Sequence, residues 1–250
     1  ENIEGFFKLK KKYKFLLIED ACHAFGSIAY FNNKYNKIGS NLNSDIAVFS
    51  FHPVKAITTG EGGCLTFNNK KFYENAMLLR NHGIKRSKNH WDYDVVANGY
   101  NYRLSDINCA LGITQLNKVH LFTKVRNKIA TEYKKKLSKL SKYIILPKYN
   151  EKNYNSYHLF ILIINFKRLK KNKNHLFEFM KKNGVICQFH YKPIYKFKIL
   201  NKVKLNKKNF PNAEFYSQNA ISIPIFYNLN KQQQNYVVIK LNNFINMNKK

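Results

Sequence analysis

Acidic side chains are scarce in this chain: 14 Asp and Glu stand against 44 Lys and Arg in 250 residues, a formal net charge of +30. That balance excludes an acidic solvating tail and points toward anionic partners. The basic residues are scattered through separate stretches, and Lys, Asn, Ile, Tyr and Phe are abundant together, the residues of AT-rich codons. No nucleic-acid partner is therefore expected. Cysteine is sparse too. Cys22, Cys64, Cys109 and Cys187 are widely spaced without a CxxC pair, which excludes a disulfide scaffold and a zinc ribbon and suits a reducing cytoplasm. An apolar run of about 18 residues, enough to cross a bilayer, is missing; 157–166 is too short, so no membrane partner is expected. The first residues carry no signal-peptide pattern.

What the chain does have is apolar material. Hydrophobic residues make up 44% and aromatics 15%, a globular rather than disordered composition. Periodicity and turn signals predict a helix end and turn over 1–14, strands at 15–18, 46–49 and 65–67, and a loop or hairpin over 30–44. A helix over 72–79 should end with Gly83 as its C-cap, followed by a polar loop over 85–98. Ser105 is a good N-cap for one long helix spanning 105–141. Pro147 interrupts the pattern over 141–155. Beyond it, strand 158–166, helix 176–182, strand 185–189 and helices 212–219 and 231–243 predict a small α+β domain over 142–250.

The stretch that organises the rest is SFHPVKAITTGEGG, residues 50–63, between two strand-like runs. Lys55 lies in this glycine-bearing loop, flanked by Pro53, Val54, Ala56 and Ile57. Apolar surroundings favour the neutral, nucleophilic form of an amine, so Lys55 is a candidate Schiff-base lysine; the plainer alternative is a solvated surface charge. Upstream, FLLIED ends a second strand at Asp20. In an open α/β sheet, ligand-contacting groups gather beyond the carboxyl ends of the strands, where both Asp20 and Ser50 fall. A carboxylate there can keep a pyridinium nitrogen protonated, and a hydroxyl can bond a phosphate. The alternatives are a turn aspartate and a satisfied loop hydroxyl. Asp20, His23 and His52 match no familiar metal-ligand spacing, so no metal is expected.

Four ordered motifs, IEDACHAFGS (18–27), VFSFHPVKAITTGEGG (48–63), RNHGI (80–84) and GYNYRLSDINCALGITQL (99–116), resemble the sugar aminotransferases of the DegT/DnrJ/EryC1/StrS family. The wording is most similar to the branch that serves pseudaminic acid synthesis. The resemblance implies an α/β chain of the type I fold of pyridoxal 5'-phosphate (PLP) dependent transferases. Residues 1–104 would be part of a large cofactor-binding domain with a mixed, mostly parallel sheet, 105–141 a linking helix, and 142–250 the small α+β domain. It implies that Lys55 joins the cofactor covalently and shuttles the proton. Asp20 pairs with the pyridine nitrogen, His23 lies near the phenolic oxygen and Ser50 bonds the phosphate. Asn101 reaches the phosphate of a neighbouring subunit's cofactor, which implies a homodimer with shared active sites. Cys22 stands where relatives have a small residue.

The implied reaction moves an amino group from L-glutamate to C4 of a UDP-linked 4-keto-6-deoxy-N-acetylhexosamine. Another 4-keto sugar nucleotide, of the perosamine type, is the alternative. The fold's dehydratases replace the lysine with histidine, against which Lys55 argues. Family members carry a substantial segment ahead of the EDA motif, whereas about one helix and one strand precede Asp20 here, so a C-terminal piece of the family's protein is expected. A non-enzymatic, basic RNA-binding reading rests only on aromatic-lysine pairs such as Tyr191-Lys192. His190, in a segment similar to the family's HYxPI, is open between substrate contact and a structural role.

Overall fold

The computed structural model describes residues 3–89, 91–148, 150–203 and 205–250; His90 of the expected polar loop and Tyr149 of the expected break lie outside the described residues. The chain divides into two units, Glu1–Thr123 with Glu151–Ser156, and Lys124–Asn150 with Tyr157–Lys250.

In the first unit, helix α1 (Ile3–Tyr13) leads into strand β1 (Ile18–Asp20). A hairpin of β2 (Ile28–Phe31) and β3 (Lys34–Lys37) fills the Asn- and Gly-rich stretch. Strand β4 (Ile46–Ser50) pairs with β1 in parallel and with β5 (Gly63–Phe67) antiparallel, so the sheet is mixed with order β1-β4-β5. Alternation along β4 turns Ala47 and Phe49 into a small core shared with Ala21, as a half-buried strand should.

Helix α2 (Lys70–Arg80) is capped by the Asn69 side chain, which accepts from Lys71 N at 2.8 Å. Its C-cap is Asn81 rather than the expected Gly83. His82 takes φ +59°, Gly83 takes φ +70°, and the Gly83 N–H bonds the Leu78 carbonyl at 3.0 Å, the longer bond of a Schellman ending. Glycine is required there, because a Cβ would lie 1.8 Å from the Ala97 carbonyl oxygen. The expected polar loop folds instead as a hairpin of β6 (Ile84–Arg86) and β7 (Tyr93–Val95).

Ser105 caps α3 (Asp106–Leu116), but the single long helix expected over 105–141 is broken. A turn at Asn117 and Lys118 separates α3 from α4 (Val119–Leu137). The Lys118 N–H bonds the Gln115 carbonyl three residues back, and asparagine is a poor residue for a helix interior. Residues 151–156 return to the first unit. Tyr154 exchanges two 2.8 Å backbone bonds with Ile28, Asn153 Oδ1 accepts from Tyr30 N, and Ser156 N donates to Ser27 Oγ. They thereby satisfy the free edge of β2.

In the second unit, β8 (Ile144–Ile145), β9 (Phe160–Ile164) and β10 (Ala220–Ile223) form an antiparallel sheet of order β10-β9-β8. Helices α5 (Lys173–Lys182), α6 (Pro211–Asn219) and α7 (Lys231–Met247) accompany it. Phe160, Leu162 and Ile164 of β9 are fully buried with Tyr133, Leu176, Met180, Leu241 and Ile245. The strand expected at 185–189 is reduced to one bridge between Gln188 and Ser222, while Val185 and Cys187 are buried in this core. Among the described residues no helix is long and apolar enough to cross a membrane.

Candidate active site

The parallel register sets Asp20 opposite Val48, two residues before Ser50 on the neighbouring strand. The next backbone group continues that pairing, with Ala21 N donating to the Val48 carbonyl at 2.9 Å. Asp20 and Ser50 thus end adjacent parallel strands on the same side, where α/β sheets present ligand-binding groups.

From Ser50 the chain makes the loop that carries Lys55. Phe51 N bonds the Gly62 carbonyl at 2.8 Å, Thr59 N bonds the Phe51 carbonyl at 3.0 Å, and Thr58 Oγ1 donates to the same carbonyl at 2.9 Å. Gly62, at φ +153°, has no room for a Cβ, which would meet Thr59 Oγ1 at 2.4 Å. Asn108 of α3 donates its side-chain amide to the Thr59 carbonyl. Within this frame Lys55 N bonds the His52 carbonyl at 2.9 Å, while Ala56 and Ile57 are buried beside it. Lys55 itself is half-buried. A loop so cross-linked presents its amine from a defined backbone position.

Electrostatics link the loop to β1. The Asp20 carboxyl is held below its ordinary value, first by the Cys22 thiol and the Cys22 N–H, then by positive charge on His23 and Lys55, against an opposing push from burial. The N–H of Cys22 reaches Asp20 Oδ1 at 3.1 Å. The Cys22 thiol is pushed up to about 11, chiefly by burial and then by Asp20. Its sulfur lies 3.8 Å from the Val48 carbonyl oxygen, so it stays a protonated donor rather than a nucleophile.

The five expected residues are thus brought together in part. Asp20, His23 and Lys55 share one electrostatic cluster. Ser50 ends the adjacent strand, and its Oγ accepts a long 3.4 Å bond from His52 N; among the described residues the hydroxyl proton has no acceptor and can be donated. His23 is fixed through its carbonyl, which accepts from Ser156 Oγ at 3.1 Å. Asn101 is exposed and bridges Asn81 at the end of α2 rather than joining the other four. His190 bonds Ser222 Oγ through Nδ1 at 2.8 Å and accepts from Tyr216 OH through its carbonyl, which favours the structural role. Sequence reasoning passed over Cys22 and Asn108; the signal for the first was its place two residues after the aspartate.

An ionised acid at one strand end, a hydroxyl at the next and an amine within electrostatic reach of the acid suit a cationic ring with an aldehyde and a phosphate. The residues present fit that group. Among the described residues no three His, Cys, Asp or Glu side chains converge on a metal position. The profile of the DegT/DnrJ/EryC1/StrS aminotransferase family matches residues 2–242. The chain belongs to that family. Over 229 residues it is 40% identical to the UDP-4-amino-4,6-dideoxy-N-acetyl-beta-L-altrosamine transaminase of Campylobacter jejuni, covering 92% of this chain and 58% of that protein. A Helicobacter pylori protein of the same name is 34% identical over 231 residues, with the same coverage. Among solved structures, Helicobacter pylori PseC, an aminotransferase involved in the biosynthesis of pseudoaminic acid, superposes with a TM-score of 0.85 at 30% identity, over 98% of this chain and 64% of that one. The PLP form of the putative sugar aminotransferase Spr1654 from Streptococcus pneumoniae gives 0.83 at 25% identity, over 96% and 60%. The chain spans 58% of the length of the curated relatives named here. As a DegT/DnrJ/EryC1/StrS member it has the α/β, type I fold of the PLP-dependent transferases.

Proposed function

We propose that this chain is the catalytic-lysine portion of a PLP-dependent sugar-nucleotide aminotransferase. In this reading it transfers an amino group from L-glutamate to C4 of a UDP-linked 4-keto-6-deoxy-N-acetylhexosamine in the cytoplasm. The observation that carries the reading is the shared electrostatic environment of Asp20 and Lys55 across adjacent parallel strand ends. The names of its 40%- and 34%-identical relatives support the choice of sugar.

When bound, PLP supplies an electron sink for the carbanion formed beside the migrating nitrogen. Asp20, held ionised by Cys22, His23 and Lys55, keeps a ring nitrogen protonated. Lys55 is the covalent attachment point and, once displaced, the general acid and base that takes a proton from glutamate Cα and delivers one to sugar C4. Ser50 donates its hydroxyl to the phosphate, and His23 lines the ring's oxygen side. Asn101, exposed and pinned to the end of α2, reaches the phosphate in a second copy, so the active form is a homodimer with shared sites. Residues 1–104 serve as part of the cofactor domain and 142–250 as the small domain, joined through 105–141.

The test is borohydride trapping. Purified chain incubated with PLP and reduced should carry the cofactor's mass on the peptide containing Lys55, and Lys55→Ala should abolish it. Labelling of Lys55→Ala at the wild-type level would refute the assignment. Mass spectrometry of the product formed from glutamate and candidate 4-keto sugar nucleotides separates the N-acetylhexosamine from a perosamine-type substrate.

A further inference from the structure

The second unit contains a cleft of about 1120 Å³ that the proposed reaction does not use. Its walls are largely apolar, with Ile145 of β8, Ile163 of β9 and Phe215 of α6 among them, and Phe166 beside β9. Lys167, Lys173 and Lys208 project around it. Lys173 opens α5, whose N-cap is Asn172, so the positive end of a ten-residue helix faces the same space.

The charges in this cleft do not balance. Glu214 is the carboxylate lining it, and its oxygens are already taken by Lys196 Nζ at 2.8 Å, Tyr195 OH at 2.6 Å and Gln218 Nε2 at 3.0 Å. Lys173 Nζ donates to the Ser217 carbonyl and sits 3.5 Å from the centre of the Phe189 ring. Among the described residues no carboxylate pairs with it. A half-buried ammonium with a second lysine nearby and no counter-ion of its own is costly unless an anion completes it. The volume decides what kind of anion. Small-molecule sites run to about 300–1,000 Å³, so this cleft exceeds what inorganic phosphate fills, and its aromatic walls would otherwise stay wet.

We propose that the cleft binds a nucleoside phosphate, its phosphate on Lys173 and the rim lysines and its base against Phe215 and Phe166. The site lies in the second unit, outside the Asp20 and Lys55 cluster, and does not depend on the reaction assigned to that cluster. Protonation gives it a signature. The Lys173 amine is pushed down to about 8 by burial and by Lys196. Of the groups facing it, Glu214 is held down to about 2 by bonds from Lys196, Tyr195 and Gln218, and Tyr195 is pushed up to about 12; Lys196, Lys167 and Lys208 complete the set. An anion on Lys173 restores its proton, so binding at pH 8 should draw in about half a proton.

The experiment is calorimetric titration of the full chain with UMP, uridine and inorganic phosphate at pH 8, in two buffers of different ionisation heat. The expected result is UMP binding with buffer-dependent heat, weaker phosphate binding and no uridine binding with that buffer dependence. Lys173→Ala should weaken UMP by about tenfold or more, the loss of one charge-assisted contact, and remove the buffer dependence. Phe215→Ala should weaken UMP but not phosphate. Lys173→Met, which keeps the side-chain bulk, stands in if Lys173→Ala fails to give a native circular dichroism spectrum. Absence of UMP binding, affinity unaltered by Lys173→Met and Phe215→Ala, or buffer dependence that survives Lys173→Met would each overturn the proposal. A failure of borohydride trapping at Lys55 leaves these outcomes untouched.

Discussion

Phe49 sits one residue before Ser50 and is 5% exposed, in a core cluster whose other buried members are Ala21 and Ala47. Its ring meets Phe25 edge-on at 5.1 Å and covers Gly39 so closely that a Cβ there would lie 2.3 Å from Phe49 Cζ. Phe49→Ala forfeits about 1.5–3 kcal/mol of transfer free energy and about 0.5–1.5 kcal/mol of aromatic pairing. The pairings of Val48 with Leu65 and of Ser50 with Gly63 hold the backbone on either side, so the cavity collapses little and a total of about 3–5 kcal/mol is expected. Against a domain stability of about 5–15 kcal/mol this is a large fraction. Ser50→Ala, which deletes one 3.4 Å local bond, should change stability by no more than about 0.5 kcal/mol. Native-state hydrogen exchange read by mass spectrometry distinguishes them. Protection in β1, β4 and β5 should fall by roughly 100-fold or more in Phe49→Ala, at about 1.4 kcal/mol per decade, and hardly move in Ser50→Ala. Equal effects of the two, or a change spread evenly along the chain, would show that this small core does not hold the strand ends in place.

Two further outcomes follow from particular contacts. Glu214 is held down to about 2, below the ordinary carboxylate value of about 4.3. Between those values the unfolded chain takes up a proton that the folded chain refuses, so the stabilisation present above about pH 4.3 is lost as pH falls toward 2. Thermal melts from pH 6 to 2 should show a shallower acid loss in Glu214→Gln than in the wild type; parallel curves would contradict the assignment. Gly83→Ala must place a Cβ 1.8 Å from the Ala97 carbonyl at φ +70°. It should cost about 2 kcal/mol or more and open the β6–β7 hairpin to limited proteolysis, with wild-type resistance the contrary result.

The places of Asp20 and Ser50 in the candidate site were readable because both end strands. Ile46-Ala47-Val48-Phe49 is a β-branched and aromatic run, and the glycine-bearing loop after it could belong only to a turn, so the placement of Asp20, Ser50 and Lys55 follows from one-dimensional pattern. Asn101 was reached only through resemblance, since its own pairing is with Asn81. Elsewhere periodicity misled. Ala220–Ile223 is buried at all four positions and follows α6 without a break, and a short apolar run carries no period by which to tell strand from helix. The β6–β7 hairpin is exposed along β7 and nearly so along β6, so it shows no apolar alternation. Val185 and Cys187 alternate as a strand would, yet only Gln188 finds a bridge, because pairing needs a partner edge that local sequence does not reveal.

The return of residues 151–156 to the edge of β2 makes both units discontinuous along the chain. No single cut in the gene leaves both units whole: a cut after Thr123 strands the Ile28 backbone and the Tyr30 N–H, whose partners go with the other piece, and a cut after Ser156 takes Lys124–Asn150 away from the second unit. During synthesis the first unit therefore cannot finish its pairing until the ribosome has passed Ser156, by which point Lys124–Asn150 of the second unit, with β8, have already been made.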